Sequence, residues 1–331
     1  MGRANKRKRR ERNRRRKRNQ KRVENEASLV QDVRNSRKDS EAHVSVFEEL
    51  HSFSFPSWWK RGRELISSVL VVRAAADRSL VKVTQGAIAT EPTFGLLYHL
   101  AERVYEQLAA SIVCFATSNG AGAEVTARAA LELSVSLRFC LREDRNSRIL
   151  AWLRNFIEHD ESTIRRWENS IGQLPSSERE AHQRSIKKRR ELHIARKELV
   201  GRLEREFVAL GVLIDSDAKW PNVFDRFRSI DDEVGYRTAY SRLSSQTHSD
   251  AEDTINYIIA SRCEDKNLAQ SIGLETVAFS EYLVLYAVRA YFISLRELCS
   301  TFGAPRPNPE LAQGCGDVEE KMGEISTVWG W

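Results

Sequence analysis

The stretch Phe94–Thr117, FGLLYHLAERVYEQLAASIVCFAT, sets Leu97, Leu100, Ala101, Val104, Leu108 and Ile112 at intervals of three and four residues. Such intervals draw one apolar stripe along an α-helix, whereas a half-buried strand alternates at every second position. The same period continues on both sides: through 57–82 before it, and through 123–142, 147–171, 231–247, 250–262 and 268–300 after it. Ser118–Gly122 (SNGAG) ends one helix ahead of the next, and 215–221 reads as a loop. No alternating pattern of strand length breaks the series. The expected fold class is all-α, a multi-helix bundle.

Segment 177–210 is the most charged of these helices, yet Leu192, Ala195, Leu199, Leu203, Phe207 and Leu210 keep a stripe along it. It reads as one arm of a long charged, coiled-coil-like helical hairpin, with most of its charges solvated. The aromatic group Phe53, Phe55, Trp58 and Trp59 around Pro56 reads as a staple at the approach to the first helix of the series.

Over the whole chain of 331 residues, 41% are hydrophobic and 30% charged, enough apolar content to build a core. Seven Pro and 16 Gly exclude collagen-like and loop-dominated architectures. No window holds about 20 uninterrupted apolar residues, so no membrane span is expected. The nearest, 277–295, contains Glu281 and Arg289. The net charge of +7 hides a division. Residues 1–22 carry 14 of the 53 Lys and Arg and one of the 46 acids, leaving the remainder with 39 basic and 45 acidic side chains. A basic arm, expected to be disordered by self-repulsion, therefore precedes a mildly acidic body.

Four regions follow: the arm at 1–27, an N-terminal helical region at 28–90, a helical core domain at 91–303, and a loose C-terminal tail at 304–331 containing PRPNP and GCG. The arm's Arg7, Lys8, Arg9, Arg10, Arg14, Arg15, Arg16, Lys17 and Arg18 suit contacts with the phosphates of RNA or DNA, through counterion release. A solubilising tail, or contact with anionic lipid, fits the same composition. The five cysteines show no C-x-x-C pair, and the N-terminus has no secretory apolar core, so a reduced, cytoplasmic protein is expected.

Two places concentrate polar chemistry. In Gly235–Ile258, GYRTAYSRLSSQTHSDAEDTINYI, a continuous α-helix would bring Arg237, Ser241, Ser244 and His248 within ~100° of Tyr240. Ser249–Glu252 then has the form of a capping box, so His248 would stand between a helix C-terminus and a following N-terminus, a setting suited to an anion. A satisfied polar seam between two helices accounts for the same face. Arg128 and Glu132, four residues apart and flanked by Ala, Leu and Val, would need partners if buried. They could organise the face that carries Tyr240; a surface ion pair is the simpler alternative. The acidic clusters Asp231–Glu233 and Glu158–Glu161 could hold Mg²⁺, although acids at a helix N-terminus explain the first equally well. No metal site and no cofactor is assigned.

The order of an R-x-x-x-E helix (Arg128, Glu132), a long charged helix, Trp220, Tyr236 and Y-x-x-x-S-x-x-x-H (Tyr240, Ser244, His248) resembles the bacterial domain-of-unknown-function family fifty-six seventy-seven, over roughly residues 90–300. The resemblance implies a helical domain whose shared polar residues are Arg128, Glu132, Tyr240, Ser244 and His248, and it carries no activity. A looser resemblance is to the HEPN ribonucleases, helical domains of toxin and phage-defence systems: Arg242–His248 (RLSSQTH) has their R-x(4–6)-H form, with Leu243 departing from the polar residue common there. That likeness implies metal-independent cleavage. Arg242 would bind the scissile phosphate, and His248, whose ordinary pKa of about 6.5 lies near neutrality, would move a proton. On one continuous helix the two lie ~120° apart, so a helix break or a homodimer would be needed to join them.

The expected function is thus that of a helical, metal-independent endoribonuclease with a nucleic-acid-binding arm. The alternatives are a non-enzymatic helical interaction module, or a binder of a small anionic ligand through Arg128, Glu132, Arg237, Tyr240 and Ser244.

Overall fold

The structure, a computed structural model, describes residues 41–87, 93–241, 265–302 and 309–329, with isolated positions between 255 and 262. At 81–87 and 329 it describes the backbone alone. No strand occurs among the described residues, and the all-α expectation holds. The helices are α1 (41–51), α2 (Lys60–Ala87), α3 (Thr93–Ala116), α4 (Gly120–Leu141), α5 (Arg145–Ser170), α6 (Ser176–Ala209), α7 (Val223–Ser229), α8 (Lys266–Phe302) and α9 (Pro309–Trp329). The basic arm lies outside the described residues.

The chain divides into two compact units, Met1–Val71 and Val72–Trp331, with the division inside α2. The described part of the first unit is built around aromatic side chains. Phe47 and Val44 of α1 are buried, and Phe55 stacks on Trp59 at 5.4 Å. The Phe55 N–H donates to Glu48 Oε1 (2.6 Å), which fixes the loop leading into α2. Gly62 is required here, because a Cβ would collide with the Trp59 and Phe55 rings. The aromatic staple expected from the sequence is therefore present.

In the second unit, α3, α4 and α8 pack on one another as the central layer. Ser118, at φ +62°, turns the chain between α3 and α4, and the Asn119 side chain accepts from the Gly122 N–H to cap α4. The alanines of α4 (Ala123, Ala127, Ala130) are fully buried and let its neighbours approach closely. Leu97, Leu108 and Ile112 of α3, Leu131 and Val135 of α4, and Val284, Tyr291 and Phe292 of α8 are buried in this layer. Each such side chain adds roughly 1.5–3 kcal/mol when buried.

By length and composition α8 could cross a membrane. From Ser280 to Phe302 its side chains are mostly buried, and the helix packs against α3, α4 and α9. A helix that is apolar nearly all round belongs inside such a layer.

The expected loose tail is not found: Pro309–Trp329 is a helix packed on α8. Leu311, Cys315, Val318, Met322 and Ile325 recur at intervals of four and three residues and are all buried. The signal was masked by PRPNP, which precedes the helix rather than breaking it, since Pro309 stands at the first position where proline is tolerated. Gly314 is not a breaker either; a Cβ there would lie 2.5 Å from Val72, so the glycine permits close packing.

Helices α5 and α6 form the expected charged hairpin, joined by a 3₁₀ turn at Ile171–Gln173. Its tip is an apolar cluster of Ile164, Ile171 and Ile186 with Trp167 and Leu174. The buried stripe of α6 differs from the one expected. Ile186, His193 and Phe207 are buried, whereas Leu192, Leu199 and Leu210 are more than half exposed. His193 takes a core position because the buried Asp160 of α5 accepts from it at 3.3 Å. Arg189 (3.0 and 2.7 Å) and Arg196 (3.4 Å) converge on the same carboxylate. Burial alone would raise the Asp160 pKa, but the hydrogen bonds from Arg189 and His193 and the charges of Arg189 and Arg196 outweigh it, holding the group below the usual carboxylate range. Asp160 is thereby committed to the hairpin.

Candidate functional site

Arg128, Glu132 and Ser136 succeed one another at intervals of four along α4, so one stripe of an otherwise apolar helix is polar. The partners that this stripe requires arrive from a segment about 90–110 residues later in the chain. The Tyr240 hydroxyl donates to Glu132 Oε2 at 3.0 Å and accepts from Arg128 at 3.2 Å, while the Arg128 guanidinium lies 5.0 Å from the centre of the Tyr240 ring. Burial raises the Tyr240 pKa; the Arg128 hydrogen bond opposes the shift and the Glu132 charge adds to it. The phenol therefore keeps its proton where an exposed tyrosine would begin to lose it.

Arg226 of α7 is the residue that sequence reasoning missed. Asn222 caps α7 by accepting from the Asp225 N–H at 2.9 Å, which places Arg226 at the middle of this short helix. Its side chain is only 6% exposed. It donates to Ser136 Oγ and to Glu132 Oε1 (3.3 Å) and lies 4.8 Å from the Trp220 ring centre. Burial lowers its pKa against the opposing pull of Glu132. Among the described residues its buried Nε–H has no acceptor. Glu132 thus has both oxygens engaged, one by Arg226 and one by Tyr240. A charged group as buried as Arg226 holds its place only while it remains paired. The available signal was a charged residue set between Phe224 and Phe227 in an aromatic helix, but its partner is 94 residues away.

Glu132, Ser136 and Arg226 belong to the lining of an open groove of about 450 Å³. Gln107 of α3, Glu132 and Ser136 of α4, Trp152, Asn155, Phe156 and His159 of α5, Trp220 and Arg226 line it. On α5 the intervals of three and four turn Trp152, Asn155, Phe156 and His159 to one face. Trp152 and Trp220 lie 6.3 Å apart at a 39° tilt, and Phe139 meets Trp220 edge-on at 5.3 Å. The groove therefore combines flat apolar surface with a carboxylate, a guanidinium, an imidazole and two amides. It could accept a small ligand with a planar body and an acceptor group.

The segment carrying Tyr240 departs from the expected geometry. One α-turn, Glu233–Gly235, runs into a π-turn, Tyr236–Tyr240, whose Ser241 N–H bonds back to the Tyr236 carbonyl. A π-turn spreads more residues over each turn, so the angles of an ideal α-helix do not apply. Gly235 allows the segment to lie against α8: a Cβ there would collide with the Tyr286 hydroxyl and the Asp232 carboxylate. Tyr286 donates to Asp232 at 3.1 Å, and Arg138 joins Asp232 (4.0 Å) to Glu297 (3.1 Å). Asp232 thus serves this anchoring network. Tyr236, stacked on Tyr240 at 5.4 Å, packs edge-on to Phe224 and Phe227.

Of the residues singled out in the sequence, Arg128, Glu132 and Tyr240 are brought together. Arg237 is not. It is exposed, bonds Glu233 at 2.8 and 3.0 Å and lies over the Phe224 ring. Arg242, Ser244 and His248 lie outside the described residues, as do the nine basic positions singled out in the arm. The model of a family described as "Family of unknown function (DUF5677)" matches residues 94–267, a span holding α3 to α7 and every residue lining the groove. No curated protein and no solved structure gives a match.

Proposed function

The chain belongs to this family of unknown function, DUF5677, and we propose that it binds a small, flat, anionic ligand of the nucleoside monophosphate kind in the groove between α3, α4, α5 and α7. One observation carries the reading: the Arg226 guanidinium, held by Glu132 and Ser136, lines the same groove as the Trp152 and Trp220 indoles. The volume of about 450 Å³ lies within the range of about 300–1,000 Å³ typical of small-molecule sites. The indole surfaces suit a planar ring, and a guanidinium is the side chain best shaped for a carboxylate or phosphate. His159, exposed at the rim, adds a ring N–H donor.

The test is thermal stabilisation by adenosine monophosphate and, separately, by an aromatic carboxylate. A saturable rise in melting temperature is expected for the wild type. Trp152→Ala and His159→Ala, which alter partly or fully exposed positions, should reduce it at least about tenfold in apparent affinity while leaving the unliganded melting curve nearly unchanged. No shift with either compound, or a shift indifferent to both substitutions, would remove the reading.

The charge distribution favours a second reading, a metal-independent endoribonuclease that binds RNA through its arm and cleaves with Arg242 and His248. It is supported by the 14 basic residues in the first 22 and by the R-x(4–6)-H pattern. Expressing wild type beside His248→Ala in bacteria tests it. Growth arrest and RNA fragmentation with the wild type alone would sustain it, and identical behaviour of two folded proteins would end it.

A further inference from the structure

Helix α6 carries two heptad seams, and among the described residues only one is covered. The first, through Ile186, His193 and Phe207, faces α5. The second starts at Ser185 and advances in alternating steps of three and four to Ala209, and every residue on it is exposed. Its centre is apolar: Leu192 and Leu199 are 55% and 57% exposed, with Ala195 between them. A seam of this period over more than three heptads is the pattern that one helix presents to another.

We infer that this seam docks the same seam of a second copy, the two α6 helices running antiparallel about a two-fold axis at position 197. The sequence of the seam specifies both occupant and orientation. About that axis Ala195 falls opposite Leu199 of the other copy, small against large. Leu192 falls opposite Arg202, whose aliphatic stem covers a leucine while its head stays in water. Ser185 falls opposite Ala209. Lys188 falls opposite Glu206, and symmetry supplies that ion pair twice. Every seam position thus meets another seam position of suitable size or opposite charge, as an isologous interface requires. A parallel arrangement would set Lys188 against Lys188 and Glu206 against Glu206, which like-charge repulsion disfavours. No residue of the seam lines the groove, so the inference does not depend on the ligand reading.

Sedimentation equilibrium on the nucleic-acid-free full chain is the test. The wild type should show a monomer–dimer equilibrium in the range of about 1–100 µM, as expected of a short, partly polar seam. Leu199→Glu should weaken it at least tenfold while preserving helicity by circular dichroism. Lys188→Glu and Glu206→Lys should each weaken it roughly fivefold at low salt, since each sets like charges opposite twice. Combined in one chain, the two reversals should return the dissociation constant to within about twofold of wild type. A wild type monomeric up to ~100 µM, a dimer untouched by Leu199→Glu, or a double reversal as weak as the singles would each overturn the inference. Neither docking of an unrelated protein nor a purely structural role for α6 would produce rescue by the double reversal.

Discussion

The Arg128–Tyr240–Glu132–Arg226 chain joins positive and negative side chains through one phenol, so each member depends on the next. Tyr240→Phe removes the donor to Glu132 Oε2 and leaves the aromatic packing with Phe227 and Tyr236 intact. The expected cost is about 1–2 kcal/mol, because an acceptor in a half-buried setting loses its partner. Glu132→Gln should cost more, since it also leaves Arg226 without its countercharge. The double variant should be less destabilised than the sum of the singles by about 1 kcal/mol, read from urea unfolding. Half of this site was legible in the sequence. Two charges four residues apart inside an apolar helix announce that partners exist, and the tyrosine followed from the family pattern. Arg226 gave no such signal, because a single arginine in a short helix looks the same whether solvated or buried.

Among the helices, the hairpin shows how charge can occupy a core position. Its period and length were readable from spacing alone, but which apolar stripe faces α5 was not. Leucines invite the reading that they are buried, yet the partner helix offers Asp160 at that level, so His193 and two arginines turn inward instead. Because the Asp160 carboxyl is held below its ordinary pKa, its contribution to stability is present in full above the unfolded value near ~4 and is lost as pH falls through the folded value. Asp160→Asn should therefore lower stability by roughly 3 kcal/mol at pH 7 and flatten the acid side of the stability profile between about pH 5 and 2. Unchanged acid sensitivity in a folded Asp160→Asn protein would show that other carboxylates govern it. At α9 the misreading ran the other way. Glycine and proline counts suggested a tail, whereas the interval of four and three through Leu311 and Ile325 specifies a packed helix.

Across the whole molecule, the central layer of α3, α4 and α8 fixes the stripe of α4 in place, and the Asp232–Tyr286 anchor brings the π-turn to it. The family match ends at residue 267, near the start of α8, although the buried half of that helix completes the core on which the groove rests. Helix content was legible because the period is local; the groove was not, because four helices and a loop from Gln107 to Arg226 contribute to it. The claim that this groove is the binding centre is tested most directly by nuclear magnetic resonance of the tryptophan indole N–H groups during titration with adenosine monophosphate. Of the seven tryptophans, Trp152 and Trp220, assigned through Trp152→Phe and Trp220→Phe, should move saturably, and Arg226→Lys should abolish the movement in a protein that remains folded. Indole resonances that stay still, or that move only at other tryptophans, would contradict the account.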